Sequence, residues 1–103
     1  MPILLVRHAV AASRSKWDGD DRLRPLTKRG QRQALDLVSQ LSEQPVHRVL
    51  SSPYLRCVDT VAPLARGRRI EVHIDWREGC RILIAARRAG EARRVVIRPV
   101  THR

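Results

Sequence analysis

An arginine and a histidine stand side by side at Arg7-His8, directly after the apolar run Pro2 to Val6. A second arginine, Arg56, comes after Ser51-Ser52-Pro53 and another apolar run, and Thr101-His102 lies near the end of the chain. Guanidinium forks match phosphoryl oxygens in charge and in bidentate geometry, so Arg7, Arg56 and one or two histidines suit a phosphoryl group. Two arginines beside His8 also disfavour its protonated form and lower its pKa. That leaves a neutral ring nitrogen able to attack phosphorus.

Such residues converge only if the right elements carry them. Pro2 to Val6 stops abruptly at Arg7, as a strand buried on both faces does, and places His8 at its C-terminal end. Residues 12–25 lack apolar periodicity and are rich in turn formers, which predicts an extended loop; a loop that long in a small domain is usually functional. Thr27 is a candidate N-cap. The helix it opens places Ala34, Leu35, Leu37, Val38 and Leu41 at near-helical spacing and stops before Pro45. Val46 to Leu50 reads as a second strand. Ser51-Ser52-Pro53 then caps a helix over 54–65, with Pro63 bending or fraying its last turn. Residues 70–74 alternate as a third strand, 81–92 read as an Ala/Arg-rich helix, and 95–97 as a fourth strand. The order β-α-β-α-β-α-β implies right-handed crossovers and a three-layer α/β/α domain with a mainly parallel sheet. In such a sheet ligands sit outside the carboxyl ends of the strands, where Arg7-His8, Ser51-Ser52-Pro53 with Arg56, and Thr101-His102 all fall.

Three segments carry a resemblance. Leu4-Leu5-Val6-Arg7-His8-Ala9, then Leu26 to Ala34 (Leu-Thr-Lys-Arg-Gly-Gln-Arg-Gln-Ala), then Ser51 to Thr60 (Ser-Ser-Pro-Tyr-Leu-Arg-Cys-Val-Asp-Thr) resemble, in order and spacing, the histidine phosphatase superfamily, also called phosphoglycerate mutase-like. Ala9, where many relatives have Gly, looks like the small SixA-type phosphohistidine phosphatases, and the chain is similar too to the phosphatase domain found after a Nudix domain in some proteins. The match is good over 1–65 and poor over 80–103 of a single 1–103 domain. The resemblance implies that His8 is the nucleophile forming a phosphohistidine and that Arg7 and Arg56 hold the phosphoryl oxygens. Thr27 and Gly30 are then structural, and Ser52 offers its hydroxyl or amide to phosphate or caps its helix. Val100-Thr101-His102-Arg103 looks like the family's second histidine motif, which makes His102 the second catalytic histidine. Glu78 is the best-placed general acid, with Asp75, Asp18, Asp20 and Asp21 competing. No metal or organic cofactor is implied.

The whole-chain numbers bound these readings. The chain has 103 residues, enough for one modest core. Aromatics make up 3% of it and Phe is absent, so that core is aliphatic. The formal net charge is +11, and residues 77–103 hold eight arginines against two glutamates. No aromatics interleave with these bases as a single-strand platform needs, so a solvated face is favoured over nucleic acid. No segment is long enough for a signal-peptide core or a membrane span, and Cys57 and Cys80 read as free thiols, which together place the protein in the cytoplasm. The expected activity is metal-independent phosphatase action on a phosphorylated small molecule, a nucleotide or a phosphohistidine protein, with no membrane partner. An alternative of another class is a truncated or inactive member that binds phosphorylated ligands without turnover, because family members continue past the second histidine. A shifted reading frame after about Gly79 is a third reading, since the family match is poor from there on.

Overall fold

The computed structural model describes residues 3–76, 81–86 and 94–97. Five strands form one sheet: β1 (Ile3–Val6), β2 (Val46–Ser51), β3 (Val72–Ile74), β4 (Ile82–Ala86) and β5 (Arg94–Ile97). Two helices, α1 (Lys28–Gln40) and α2 (Leu55–Arg68), link β1 to β2 and β2 to β3, and a short 3-10 turn, η1 (Asp21–Leu23), sits in the first long loop.

The strand order is β3-β2-β4-β1-β5. β2–β3 and β1–β5 are parallel, but β4 runs antiparallel to both its neighbours. The two central interfaces are therefore antiparallel, which corrects the expectation of a mainly parallel sheet. The physical reason is the connection 75–81. A parallel return requires a crossover of a dozen or more residues, usually a helix, and this segment is too short for one. The same strand corrects the helix expected over 81–92, whose described part, Ile82–Ala86, is β4 at the centre of the sheet. Ile82-Leu83-Ile84 is an apolar run with β-branched ends, and between β1 and β2 its burial outweighs the helix propensity of the Ala and Arg residues after it.

Both crossovers step the same way across the sheet, so one handedness puts α1 and α2 on the same face, where they pack along each other. Among the described residues no helix lies on the opposite face. The core lies between sheet and helices: Leu4, Val6, Val49, Ile82 and Ile84 from the sheet meet Leu37, Leu41, Cys57, Val61 and Leu64 from the helical layer. It is aliphatic, as the composition requires. Arg68 ties the helices together, because its Nη1 donates to Gln44 O and its Nη2 to Leu41 O, both at 2.6 Å. Those carbonyls lie just past the C-terminus of α1, where each also accepts a backbone N–H, Leu41 O from Gln44 N and Gln44 O from Val46 N. α2 continues past Pro63 and ends at Arg69, whose φ of 56° is left-handed. Cys57 is disulfide-bonded, so the free-thiol expectation does not hold for it. No helix among the described residues is long and apolar enough to cross a membrane.

Candidate functional site

The register aligns one edge of the sheet. Val6 pairs with Ile82 and Ile97, and Ser51 pairs with Ile74 and Ile82. Arg7-His8, Ser52, Asp75-Trp76 and Arg81 all emerge there. Two backbone bonds stitch this edge: Ser52 N donates to Arg81 O and Asp75 N donates to Ser51 O, each at 2.8 Å.

His8 is half-buried, and its Nδ1 lies 2.7 Å from Ala9 O. A carbonyl only accepts, so Nδ1 carries the proton and Nε2 keeps the lone pair. The imidazole pKa is lowered: burial is the largest cause, the Ala9 carbonyl opposes it, and the positive fields of Arg56, Arg24 and Arg7 add to it. The sequence predicts the direction from arginines alone, whereas desolvation contributes more.

The segment after His8 is fixed from both helices. Ala9 N donates to Thr60 Oγ1 at 2.9 Å, and Thr60 Oγ1 donates to Arg56 O at 2.6 Å, so one hydroxyl joins the histidine segment to the helix bearing Arg56. Val10 N donates to the buried Gln33 Oε1 at 2.8 Å, and Val10 O accepts from Thr27 N at 3.0 Å. Thr27 is the N-cap of α1, its Oγ1 accepting from Gly30 N at 3.0 Å. A Cβ at Gly30 would collide with the Val10 carbonyl, so close approach demands glycine there.

Arg56 is 4% exposed. Its guanidinium lies over the Tyr54 ring, 4.6 Å from the centroid, which is cation–π distance. Its Nη1 donates to Asp21 O at 2.9 Å and its Nη2 to Asp21 Oδ2 at 3.3 Å. Its Nε is buried with no hydrogen-bond partner among the described residues, and so is Ser52 Oγ. The N-cap of α2 is Tyr54, with no side-chain cap, which removes the helix-cap role considered for Ser52. Arg7 is exposed beside His8.

Arg24 belongs to this cluster, although no sequence motif marks it. It is buried, donates from Nε to Asp21 Oδ1 at 3.0 Å and from Nη1 to Ala12 O at 2.7 Å, and its charge acts on His8. The one available signal is its place just before Pro25-Leu26-Thr27, three residues after Asp21. Asp20 and Asp21 compete in the sequence as proton donors, and their surroundings argue against both. Bonds from Arg22 hold the Asp20 carboxyl below the usual range, and Arg24 with Arg56 does the same for Asp21. Both are ionised and poorly suited to donate. Glu78 and His102 lie outside the described residues. Trp17 packs locally, against Gly19 and with Nε1 donating to Asp20 O at 2.9 Å. Among the described residues no group of three or more His, Cys, Asp or Glu is placed to hold a metal ion.

A family model, the histidine phosphatase superfamily (branch 1), matches residues 3–79. The chain belongs to the histidine phosphatase superfamily. The match runs through all three segments that carry the sequence resemblance. An 8-oxo-(d)GTP phosphatase of Mycolicibacterium smegmatis is 45% identical over 64 residues, which is 62% of this chain and 20% of that protein. The solved structure of the protein histidine phosphatase SixA complexed with tungstate superposes with a TM-score of 0.60 at 24% identity, covering 72% of this chain and 49% of that one. That likeness establishes a shared fold. The chain thus spans a fifth of the curated relative and about half of the structural one.

Proposed function

We propose that the protein is a phosphatase that works through a phosphohistidine on His8. The observation that carries this reading is the pair of buried donors without partners among the described residues: Ser52 Oγ, at the sheet edge that also bears His8, and Nε of Arg56, whose charge acts on His8. Leaving a buried donor unpaired costs about 1–3 kcal/mol, and a phosphoryl group brings the acceptors they lack. In the proposed reaction His8 Nε2 attacks phosphorus in line, and the bond to the leaving oxygen breaks with its electron pair on that oxygen. Water then attacks the phosphohistidine, releasing phosphate and restoring the neutral ring. Arg7, Arg24 and Arg56 supply the positive charge that the transferring phosphoryl requires, preorganised in a partly desolvated site. His102 and Glu78 remain the proposed second histidine and proton donor.

For the substrate, a nucleotide is the reading that the surroundings favour over a phosphohistidine protein or a small phosphoester. A hollow of about 490 Å³ lies against η1, whose Asp21 bonds Arg56, and the first turn of α2, which carries Arg56. Leu23, Pro53, Leu55, Val58 and Trp76 wall it together with the paired Asp20 and Arg22, and Trp76 is 78% exposed. An open indole beside aliphatic groups suits a flat heteroaromatic ring. The name of the 45% identical relative points the same way.

The test is turnover of p-nitrophenyl phosphate, nucleoside phosphates and a phosphohistidine peptide, with trapping of labelled phosphate on the protein. His8→Ala is expected to abolish both turnover and trapping. Wild-type turnover in that variant would sink the proposal, and phosphate binding without turnover in the wild type would favour the inactive binder instead.

A further inference from the structure

η1 carries a carboxylate that the phosphohistidine reaction leaves unused. Asp21 Oδ1 accepts from Arg24 Nε at 3.0 Å, its Oδ2 from Arg56 Nη2 at 3.3 Å and its main-chain oxygen from Arg56 Nη1 at 2.9 Å. Its neighbour Asp20 turns outward. It caps η1 by accepting from Arg22 N at 2.9 Å, and it pairs with the exposed Arg22 guanidinium at 2.9 Å. The turn is therefore fastened outside by Arg22 and Trp17 and inside by Arg24 and Arg56.

An anionic group on Arg56 can play two opposite parts. It can be a stand-in for phosphate that must leave before a ligand enters, or it can be a brace that aims the guanidinium groups. The bond pattern separates them. Asp21 bonds Arg24 Nε and Arg56 Nη1 and Nη2 at the same time, so it spans two guanidinium groups as a brace does, whereas a stand-in for phosphate need only occupy one. The Asp21 side chain is 45% exposed, so solvent screens its charge. Its removal changes the attraction for an anion modestly. What goes with it is the fixed orientation of two long side chains, each of which has many rotamers to lose.

We propose that Asp21 is a positioning residue, which locks Arg24 and Arg56 into one clamp beside His8. The proposal rests on the phosphoryl-transfer reading and specifies how its charge is aimed. Orientation matters most in the transition state, whereas ground-state attraction tracks net charge, so kcat and KM separate. In Asp21→Ala, kcat on p-nitrophenyl phosphate is expected to fall roughly ten- to a hundredfold, the scale of a charged hydrogen bond. KM is expected to stay at or below the wild-type value. Vanadate, which adopts the five-coordinate geometry of the transfer, weakens by the same factor while inorganic phosphate does not. Asp21→Asn keeps the shape and one acceptor, and falls between.

Unchanged kcat and vanadate affinity in Asp21→Ala would overturn the proposal. A rise in KM that tracks a fall in Tm would reduce Asp21 to a loop support, and tighter vanadate binding would make it a competitor; either result also overturns it. His8→Ala, measured alongside, reads the underlying mechanism separately. Should that variant turn over like the wild type, the ratio of vanadate to phosphate affinity in Asp21→Ala still decides the role of Asp21.

Discussion

A histidine that attacks phosphorus must be neutral, and His8 meets this need mainly by being taken out of water, with arginines second. Arg56→Ala is therefore expected to raise the His8 pKa only part of the way to 6.5, and a histidine titration by NMR measures this. Because the folded-state pKa lies below the unfolded one, the unfolded chain binds more protons as pH falls through 6.5. The stability lost on acidification through His8 thus begins near 6.5 and grows until the folded pKa is passed. As the proposed nucleophile, His8 for the same reason stays unprotonated below the ordinary histidine range, so kcat/KM is expected to hold its plateau to more acidic pH than a free imidazole would allow. Ser52 tests the same pocket without touching the charge. Its Oγ is buried and unpaired, so Ser52→Ala should raise the unfolding free energy, by up to the roughly 1–3 kcal/mol that an unsatisfied buried donor costs. Phosphate binding should weaken by about 1 kcal/mol, the scale of a neutral hydrogen bond. A large fall in stability with unchanged binding would contradict that role.

Elements place the site by crossing bonds more than by their own shape. Thr60 reaches from α2 to Ala9, and Gly30 admits the Val10 carbonyl against α1. Gly30→Ala forces a backbone shift at the segment after His8. It is expected to cost about 1–3 kcal/mol by denaturant unfolding and to lower kcat further than that loss alone explains. Thr60→Val leaves the Ala9 N–H buried and unpaired, for a similar cost of about 1–3 kcal/mol. Loss of activity without loss of stability in Thr60→Val would show that the hydroxyl serves orientation alone. These contacts explain why so much of the site is legible in the sequence. Arg7-His8, Thr27, Gly30, Ser52, Arg56 and Thr60 fall in three short segments with local signals: an abrupt end to an apolar run, an N-cap, and a serine pair before a helix. Arg24 and Asp21 are not legible as an interacting pair, because they meet through a turn of three residues inside a polar loop with no periodicity. β4 is masked for a related reason. Helix-forming Ala and Arg residues flank it, and nothing local tells Ile82-Leu83-Ile84 that β1 and β2 stand apart by one strand's width.

At the scale of the molecule, the family match ends at residue 79 while the centre of the sheet is supplied by residues beyond it. β1 and β2 do not pair with each other; both pair with β4. Without β4 the sheet would divide into β3-β2 and β1-β5, each exposing a fresh edge, and His8 and Ser52 would lose the strand that keeps their strand ends level. The proposal that residues 1–103 form one cooperative domain therefore turns on Ile82 and Ile84, which are almost fully buried against Leu4, Val6 and Val49. Ile84→Ala is expected to cost about 2–5 kcal/mol. A domain of this size has only about 5–15 kcal/mol in total, so the urea midpoint should fall sharply and the activity should vanish in the same transition. Leu35→Ala, on the open side of α1 where Leu35 is 59% exposed, is the matched control and should stay within about 0.5 kcal/mol. Were Ile84→Ala to leave the midpoint unchanged, residues 81–86 would be a passenger and the sheet would have to close without them. Two separate transitions in the wild type would likewise divide the molecule into two units. A single transition that moves with Ile84 makes the strand beyond the family match the piece on which the geometry of the proposed phosphate site depends.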